Sequence, residues 1–115
     1  MGIIIYHNPR CSKSRQTLSL IKEQGHTPKI IEYLKEPPSV SEILNILSLL
    51  KVEPRAILRT KEGLYKELKL SSSELTVNQL VEAIANNPIL MERPIVINGN
   101  KATIGRPPEN VLPIL

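Results

Sequence analysis

The pattern of apolar positions at the start of the chain predicts a strand, a helix and a second strand. A short apolar run over residues 3–6 indicates a buried strand, and Leu18, Leu20 and Ile21 follow at helical spacing within residues 13–24. Gly25 is well placed to end that helix. A second Ile-rich run covers residues 29–33. Short connections between these elements predict a right-handed βαβ unit with parallel strands.

The middle of the chain has a helical period that is interrupted by short loops. Two capping boxes mark helix starts, Ser39 with Glu42 and Thr76 with Gln79. Helical segments are predicted over residues 39–51, 54–58, 64–68 and 77–87. This block interrupts the α/β pattern, so we predict a helical insertion over about residues 39–90 within a single domain of residues 1–115.

The last part of the chain predicts a β-hairpin and a final helix. Short strands are expected over residues 95–97 and 101–104, and Asn98-Gly99-Asn100 between them is a strong hairpin turn signal. Pro107 or Pro108 suits the first turn of a helix. The predicted order is therefore βαβ, a helical block and then ββα, which is an α/β fold.

Composition narrows the classes of protein. The chain has 115 residues and a single cysteine, so no internal disulfide can form. No signal peptide or apolar run of membrane-spanning length is recognised, and we expect a cytoplasmic protein. The net charge is +4 without a basic block, and stacking aromatics are few, which disfavours nucleic-acid binding. One cysteine and two distant histidines do not make a zinc site.

The single cysteine, Cys11, lies between the end of the first predicted strand and the start of the first predicted helix. Unpaired N–H groups and the macrodipole make a helix start electropositive, which favours a thiolate over a thiol. Arg10, Lys13 and Arg15 add positive charge nearby, and His7 lies one short turn upstream. Cys11 is therefore a candidate nucleophile at the carboxyl edge of the sheet, where α/β proteins place ligands.

The same loop has groups suited to an anion. Backbone N–H groups, the hydroxyls of Ser12 and Ser14, and Arg15 are placed to hold a tetrahedral oxyanion above the sulfur. The alternatives are a small, buried and inert Cys11, and an Arg15 that is solvated or ion-paired along the helix.

Several short motifs occur along the chain at the ends of predicted elements. They are Tyr6-His7-Asn8-Pro9 before Cys11, Ser14-Arg15, Tyr33-Leu34 before Pro37-Pro38, Arg55-Ala56-Ile57-Leu58-Arg59, Asn87-Pro88-Ile89-Leu90, Arg93-Pro94-Ile95-Val96 and Gly105-Arg106-Pro107. The order of these motifs and of the predicted elements resembles that of a thioredoxin/glutaredoxin-like fold with a helical insertion. Over essentially its full length the chain resembles the glutaredoxin-dependent bacterial arsenate reductases.

The resemblance implies a set of site residues. Cys11 would be the catalytic nucleophile, and Arg59, Arg93 and Arg106 would bind the oxyanion and its covalent adduct. All three arginines lie at the ends of predicted elements, where functional side chains collect. A guanidinium fork matches an oxyanion bidentately and stays charged at any relevant pH.

The resemblance also implies supporting residues around the cysteine. Pro94 would follow a cis peptide bond and pack against the cysteine loop. His7 would favour the thiolate through its charge, although a strand-end histidine bonded to the backbone is the alternative. Ser14 would donate a hydrogen bond to the thiolate.

The implied reaction is the reduction of arsenate to arsenite through a Cys11 adduct. The chain has no second cysteine to supply electrons, so we expect glutathione as co-substrate and glutaredoxin as partner, with no bound cofactor or metal. Relatives usually carry small or neutral residues at the positions of Arg10, Ser12 and Lys13, and the extra cations here would strengthen anion binding or change which anion fits.

Two alternative functions follow from the same residues. A glutathione-linked thiol-disulfide reductase would use the same Cys11 without an oxyanion. An RNA-polymerase-binding regulator is the alternative from a different class, but its redox-active members usually carry a Cys-x-x-Cys pair, and position 14 is Ser.

Overall fold

The computed structural model describes residues 2–115. This part of the chain forms two compact units. The first unit combines residues up to Glu36 with Arg93–Leu115, and the second is Pro37–Glu92. The predicted insertion over about residues 39–90 falls within the second unit, and the assignment of all 115 residues to one domain stays a prediction.

The first unit is built on a mixed sheet. Its strands are β1 (Ile3–His7), β2 (Lys29–Glu32), β3 (Ile95–Asn98) and β4 (Lys101–Ile104), in the order β2-β1-β3-β4. β1 pairs with β2 in parallel, as predicted, whereas β3 is antiparallel to both β1 and β4. β1 is therefore a central strand, and the loop after its carboxyl end is flanked by strands on both sides.

The register determines which segments meet at that edge of the sheet. Tyr6 pairs with Ile95, and Ile95 pairs with Ile104. The segment just before β3 and the segment just after β4 therefore lie beside the end of β1. Ile3 pairs with Asn98, and Asn98 with Lys101, so the hairpin turn lies at the opposite end.

Helix α1 (Ser12–Glu23) packs against the sheet of the first unit. It is followed by Gln24 and by Gly25, which has φ 86° and ends the helix as predicted. Apolar side chains of the sheet, α1 and the C-terminal segment form the core cluster Ile3, Ile5, Ile21, Val96 and Val111. The fully buried Ile5 and Ile21 thereby anchor the start of the chain to α1.

The C-terminal segment is helical, but it differs in type from the predicted helix. Pro108–Ile114 is a 3₁₀-helix with Pro113 inside it. Proline has no backbone N–H, and its ring clashes with the carbonyl four residues earlier in an α-helix. Pro113 therefore favours the tighter 3₁₀ geometry.

The hairpin turn is shorter than the predicted three-residue signal. Because Asn98 pairs with Lys101, the loop consists of Gly99 and Asn100. Gly99 has φ 65°, which places glycine at the first central position of a tight two-residue turn. Positive φ is accessible to glycine without steric cost.

The second unit is helical, as predicted. Its α-helices are α2 (Val40–Leu50), α3 (Gly63–Glu67) and α4 (Val77–Asn86), with 3₁₀ turns at Pro54–Ile57 and Pro88–Leu90. Both predicted capping boxes are present, because Ser39 and Thr76 each accept a backbone N–H and the residues three positions on bond back. Buried side chains of α2 and α4 supply the apolar packing: Ile43, Ile46, Leu47, Leu80, Val81 and Ile84.

The peptide bond before Pro94 is cis, which confirms the isomer implied by the resemblance. The bond between Arg106 and Pro107 is also cis, which was not predicted. Within residues 2–115, no helix has the length and apolar character needed to cross a membrane.

Candidate active site

Cys11 is the N-cap residue of α1. Its backbone is extended, at φ −94° and ψ 123°, and its carbonyl accepts the N–H of Arg15 at 3.0 Å. Its own N–H donates to the carbonyl of Asn8 at 3.0 Å, and the Asn8 side chain accepts the N–H of Arg10. The loop is thus closed by its own hydrogen bonds, and the sulfur lies at the electropositive helix start that the sequence predicted.

Arg106 brings a positive charge to the sulfur. Its Nη1 donates to Cys11 Sγ at 3.7 Å and to the backbone carbonyl of Arg93 at 3.2 Å. The register of β1, β3 and β4 explains this meeting, because Arg93 precedes β3 and Arg106 follows β4 at the edge where β1 ends. Cys11, Arg106 and the backbone of Arg93 therefore form one cluster. The side-chain atoms Nε and Nη1 of Arg93 are buried.

Arg15 stabilises the cysteine loop. Its Nη1 donates to the carbonyl of Pro9 at 2.9 Å, across the turn that carries Cys11. The structure thus places Arg15 at the loop, while its predicted contact with an anion stays a prediction.

His7 and Ser14 form a buried hydrogen-bonded pair beneath the loop. His7 Nδ1 lies 2.6 Å from Ser14 Oγ, and Ser14 Oγ accepts the N–H of Asn8 at 3.0 Å. With that N–H accepted, the hydroxyl hydrogen is available to donate to Nδ1 of a neutral imidazole. The hydroxyl of Ser14 is therefore hydrogen-bonded to His7 and to the backbone of Asn8. A hydrogen bond from Ser14 to the sulfur stays a prediction.

The surroundings of His7 favour its neutral form. Burial is the main cause that lowers the pKa of His7 below its ordinary value of 6.5. The charges of Arg15 and Lys22 lower this pKa further, whereas Glu32 opposes the shift. A lowered pKa works against a charged imidazole, and the expectation that His7 favours the thiolate through its charge stays a prediction. The contact of His7 positions Ser14 and, through it, the backbone of Asn8.

Thr17 is a site-building residue that the sequence reasoning missed. It is fully buried, and its hydroxyl lies 2.8 Å from the carbonyl of Lys13 and 3.2 Å from the carbonyl of Gly105. A Cβ on Gly105 would lie 2.6 Å from Thr17 Oγ1 and 2.9 Å from Pro94 Cγ. α1 thus packs directly against the backbone that carries Arg106. A buried threonine four residues before the core residue Ile21 was the available signal.

Arg59 belongs to the second unit. Its guanidinium forms an ion pair with Glu62, with Nη1 and Oε2 2.8 Å apart. Its backbone N–H donates to the carbonyl of Leu90 at 2.8 Å, next to the bridge between Leu58 and Met91. Its predicted contact with the oxyanion stays a prediction.

Among the described residues 2–115, no group of three or more His, Cys, Asp or Glu side chains has an arrangement that could hold a metal ion. The cluster described above consists of one sulfur and cationic groups. Such a set suits an anionic ligand rather than a cation.

Comparison with known proteins extends these findings. The model of the ArsC family matches residues 6–114. The uncharacterized protein YfgD of Escherichia coli (strain K12) is 51% identical over 112 residues, which are 96% of this chain and 94% of that protein. An arsenate reductase of Haemophilus influenzae is 51% identical over 116 residues and the full length of both chains. A solved arsenate reductase from Vibrio cholerae has a TM-score of 0.98 at 51% identity, covering 100% of this chain and 98% of that one.

Proposed function

The chain belongs to the ArsC family, and from that premise we propose that it is an arsenate reductase whose nucleophile is Cys11. The observation that carries the proposal is the 3.7 Å contact between Arg106 Nη1 and Cys11 Sγ at the start of α1. A helix start and a guanidinium both favour negative charge at one point. The same two features would serve the thiolate and the anion that it attacks.

The proposed first step is nucleophilic attack on arsenic. The sulfur of Cys11 forms a bond to As(V), and one arsenate oxygen leaves as water after taking up protons. Arsenic keeps its oxidation state in this step. Arg106 would neutralise the charge of the oxyanion, and Arg93 is proposed to join it when the anion is bound.

The proposed second step uses an external thiol. Glutathione attacks the sulfur of the adduct, so that a Cys11–glutathione disulfide forms and arsenic leaves as arsenite with the electron pair. The chain has no second cysteine to do this. Glutaredoxin would then reduce the mixed disulfide by thiol exchange. Because the electrons come from glutathione, the protein would act in a reducing compartment such as the cytoplasm.

The test is arsenate-dependent oxidation of NADPH, coupled through glutathione, glutaredoxin and glutathione reductase. We expect Cys11→Ser to abolish turnover. Arg106→Gln should lower kcat/KM for arsenate about 10- to 100-fold, the range expected when one hydrogen bond to a charged group is lost. Lys101→Gln is the matched control, because it removes the same charge from the hairpin end of the sheet.

Two results would contradict the proposal. Turnover that survives in Cys11→Ser would exclude the nucleophile. Arsenate-independent reduction of a model disulfide that Cys11→Ser abolishes, with no arsenate-dependent activity in the wild type, would instead indicate a glutathione-linked thiol-disulfide reductase.

A further inference from the structure

A groove runs along α1 in the first unit. Its volume is about 630 Å³, and it lies between α1 and the C-terminal 3₁₀-helix. The lining side chains that matter here are Ser12, Arg15, Gln16 and Glu23 from α1 and Pro108 and Glu109 from the C-terminal segment. We call this cavity the α1 groove. None of the reaction steps proposed above uses Pro108 or Glu109.

The α1 groove is lined by residues that are close in sequence to Cys11 and Arg106. Ser12 directly follows Cys11, and Glu109 lies three residues beyond Arg106, whose guanidinium contacts the sulfur. An α-helix rises 1.5 Å per residue, so Arg15 lies about 6 Å from Cys11 along the axis and Glu23 lies about 18 Å away. A tripeptide spans at most about 10 Å. A tripeptide thiol with its sulfur at Cys11 would thus reach Arg15 but not Glu23.

The charges near this end of the groove match a zwitterion. Arg15 supplies a guanidinium, of which one N–H is used on the carbonyl of Pro9, and Glu109 supplies a carboxylate. A simple oxyanion would gain from Arg15 but would be repelled by Glu109. A group that carries an ammonium and a carboxylate side by side gains from both. The γ-glutamyl end of glutathione is such a group.

We propose that the α1 groove binds glutathione, with Glu109 holding the ammonium and Arg15 the carboxylate of its γ-glutamyl end. This assignment rests on the proposed function, in which glutathione meets Cys11. Ser12 and Gln16 line the same groove and supply polar side chains for the amide groups of the ligand. The groove thereby selects this thiol over smaller thiols without a γ-glutamyl group.

The test uses a reaction that needs no arsenate. The sulfur of Cys11 attacks one sulfur of glutathione disulfide, a Cys11–glutathione disulfide forms and one glutathione thiolate leaves. Mass spectrometry of the intact protein follows this step with time. We expect Glu109→Gln to raise the half-saturating concentration of glutathione disulfide about tenfold, since a charge-assisted hydrogen bond is lost. The alkylation rate of Cys11 by iodoacetamide should not change.

Two controls make the test specific. Glu23→Gln removes the same charge from the same groove beyond the reach of the ligand, so it should behave as the wild type does. A disulfide of glutathione that lacks the α-amino group should react with the wild type as poorly as glutathione disulfide reacts with Glu109→Gln. The two changes together should cost no more than either alone.

Several outcomes would overturn the assignment. Equal effects of Glu109→Gln and Glu23→Gln would indicate a general charge effect. An unchanged half-saturating concentration in Glu109→Gln would exclude the ammonium contact. A change confined to the step with glutaredoxin would make the groove a protein-docking surface instead. A Glu109-dependent exchange without any arsenate reduction would support the groove and refute the proposed function, so the two failures are distinguishable.

Discussion

Replacing Gly105 by alanine tests how closely α1 packs against the backbone that carries Arg106. The added Cβ would lie 2.6 Å from Thr17 Oγ1, 2.9 Å from Thr17 Cγ2 and 2.9 Å from Pro94 Cγ, whereas ordinary contact begins at 3.4 Å. Thr17 is fully buried, and its hydroxyl lies 2.8 Å from the carbonyl of Lys13. Neither neighbour is the free end of a flexible side chain, so the backbone must shift.

The expected cost follows from overpacking of a buried contact. An extra methyl group in a well-packed interior costs about 1–3 kcal/mol. Three contacts below 3.0 Å on two buried residues place Gly105→Ala at the upper end, about 2–3 kcal/mol. The shift also moves Arg106 relative to Cys11, so kcat/KM for arsenate should fall together with the free energy of unfolding.

Urea unfolding followed by circular dichroism measures this cost. Gly63→Ala is the control, because a Cβ there meets no atom within 4 Å, and it should be neutral or stabilising by up to about 1 kcal/mol. Thr17→Ala removes two of the three close contacts. The double variant Thr17→Ala with Gly105→Ala should therefore be less destabilised than the sum of the single variants, by about 1 kcal/mol or more.

Two results would refute this reasoning. A Gly105→Ala variant within about 0.5 kcal/mol of the wild type would show that the backbone yields easily at this point. Additive costs in the double variant would show that Thr17 is not the neighbour that resists the methyl group.

Two further predictions concern His7 and the start of α2. The lowered pKa of His7 means that its contribution to stability is complete above its ordinary pKa of 6.5 and is lost as the pH falls through the lower folded-state pKa. The difference in unfolding free energy between the wild type and His7→Asn should thus shrink from pH ~7.5 to pH ~5. A difference that stays constant over this range would contradict the lowered pKa. His26→Asn serves as the control. Ser39→Ala should cost about 1 kcal/mol in urea unfolding, because Ser39 Oγ accepts the Glu42 N–H at 3.1 Å; a loss no larger than that of the exposed neighbour Ser41→Ala would argue against the cap.

Interactions between residues close in sequence could be predicted from the sequence. The capping boxes at Ser39 and Thr76 depend on groups three positions apart, and both are present. The position of Cys11 at the start of α1 also depends on local order, since a strand, a short loop and a helix follow one another. The cis bond before Pro94 was instead predicted from the family resemblance, because no local rule selects that isomer.

Contacts between distant residues, and the pKa of buried groups, depend on how the whole chain folds. Arg106 meets Cys11 across 95 positions because β3 lies between β1 and β4, and the order of strands in a sheet is set by global packing. Thr17 meets Gly105 for the same reason. The lowered pKa of His7 depends on desolvation, which exists only once the chain has closed around the ring. Local sequence order is therefore enough to predict the position of Cys11 at the start of its helix, whereas the fold sets which charges lie near the sulfur.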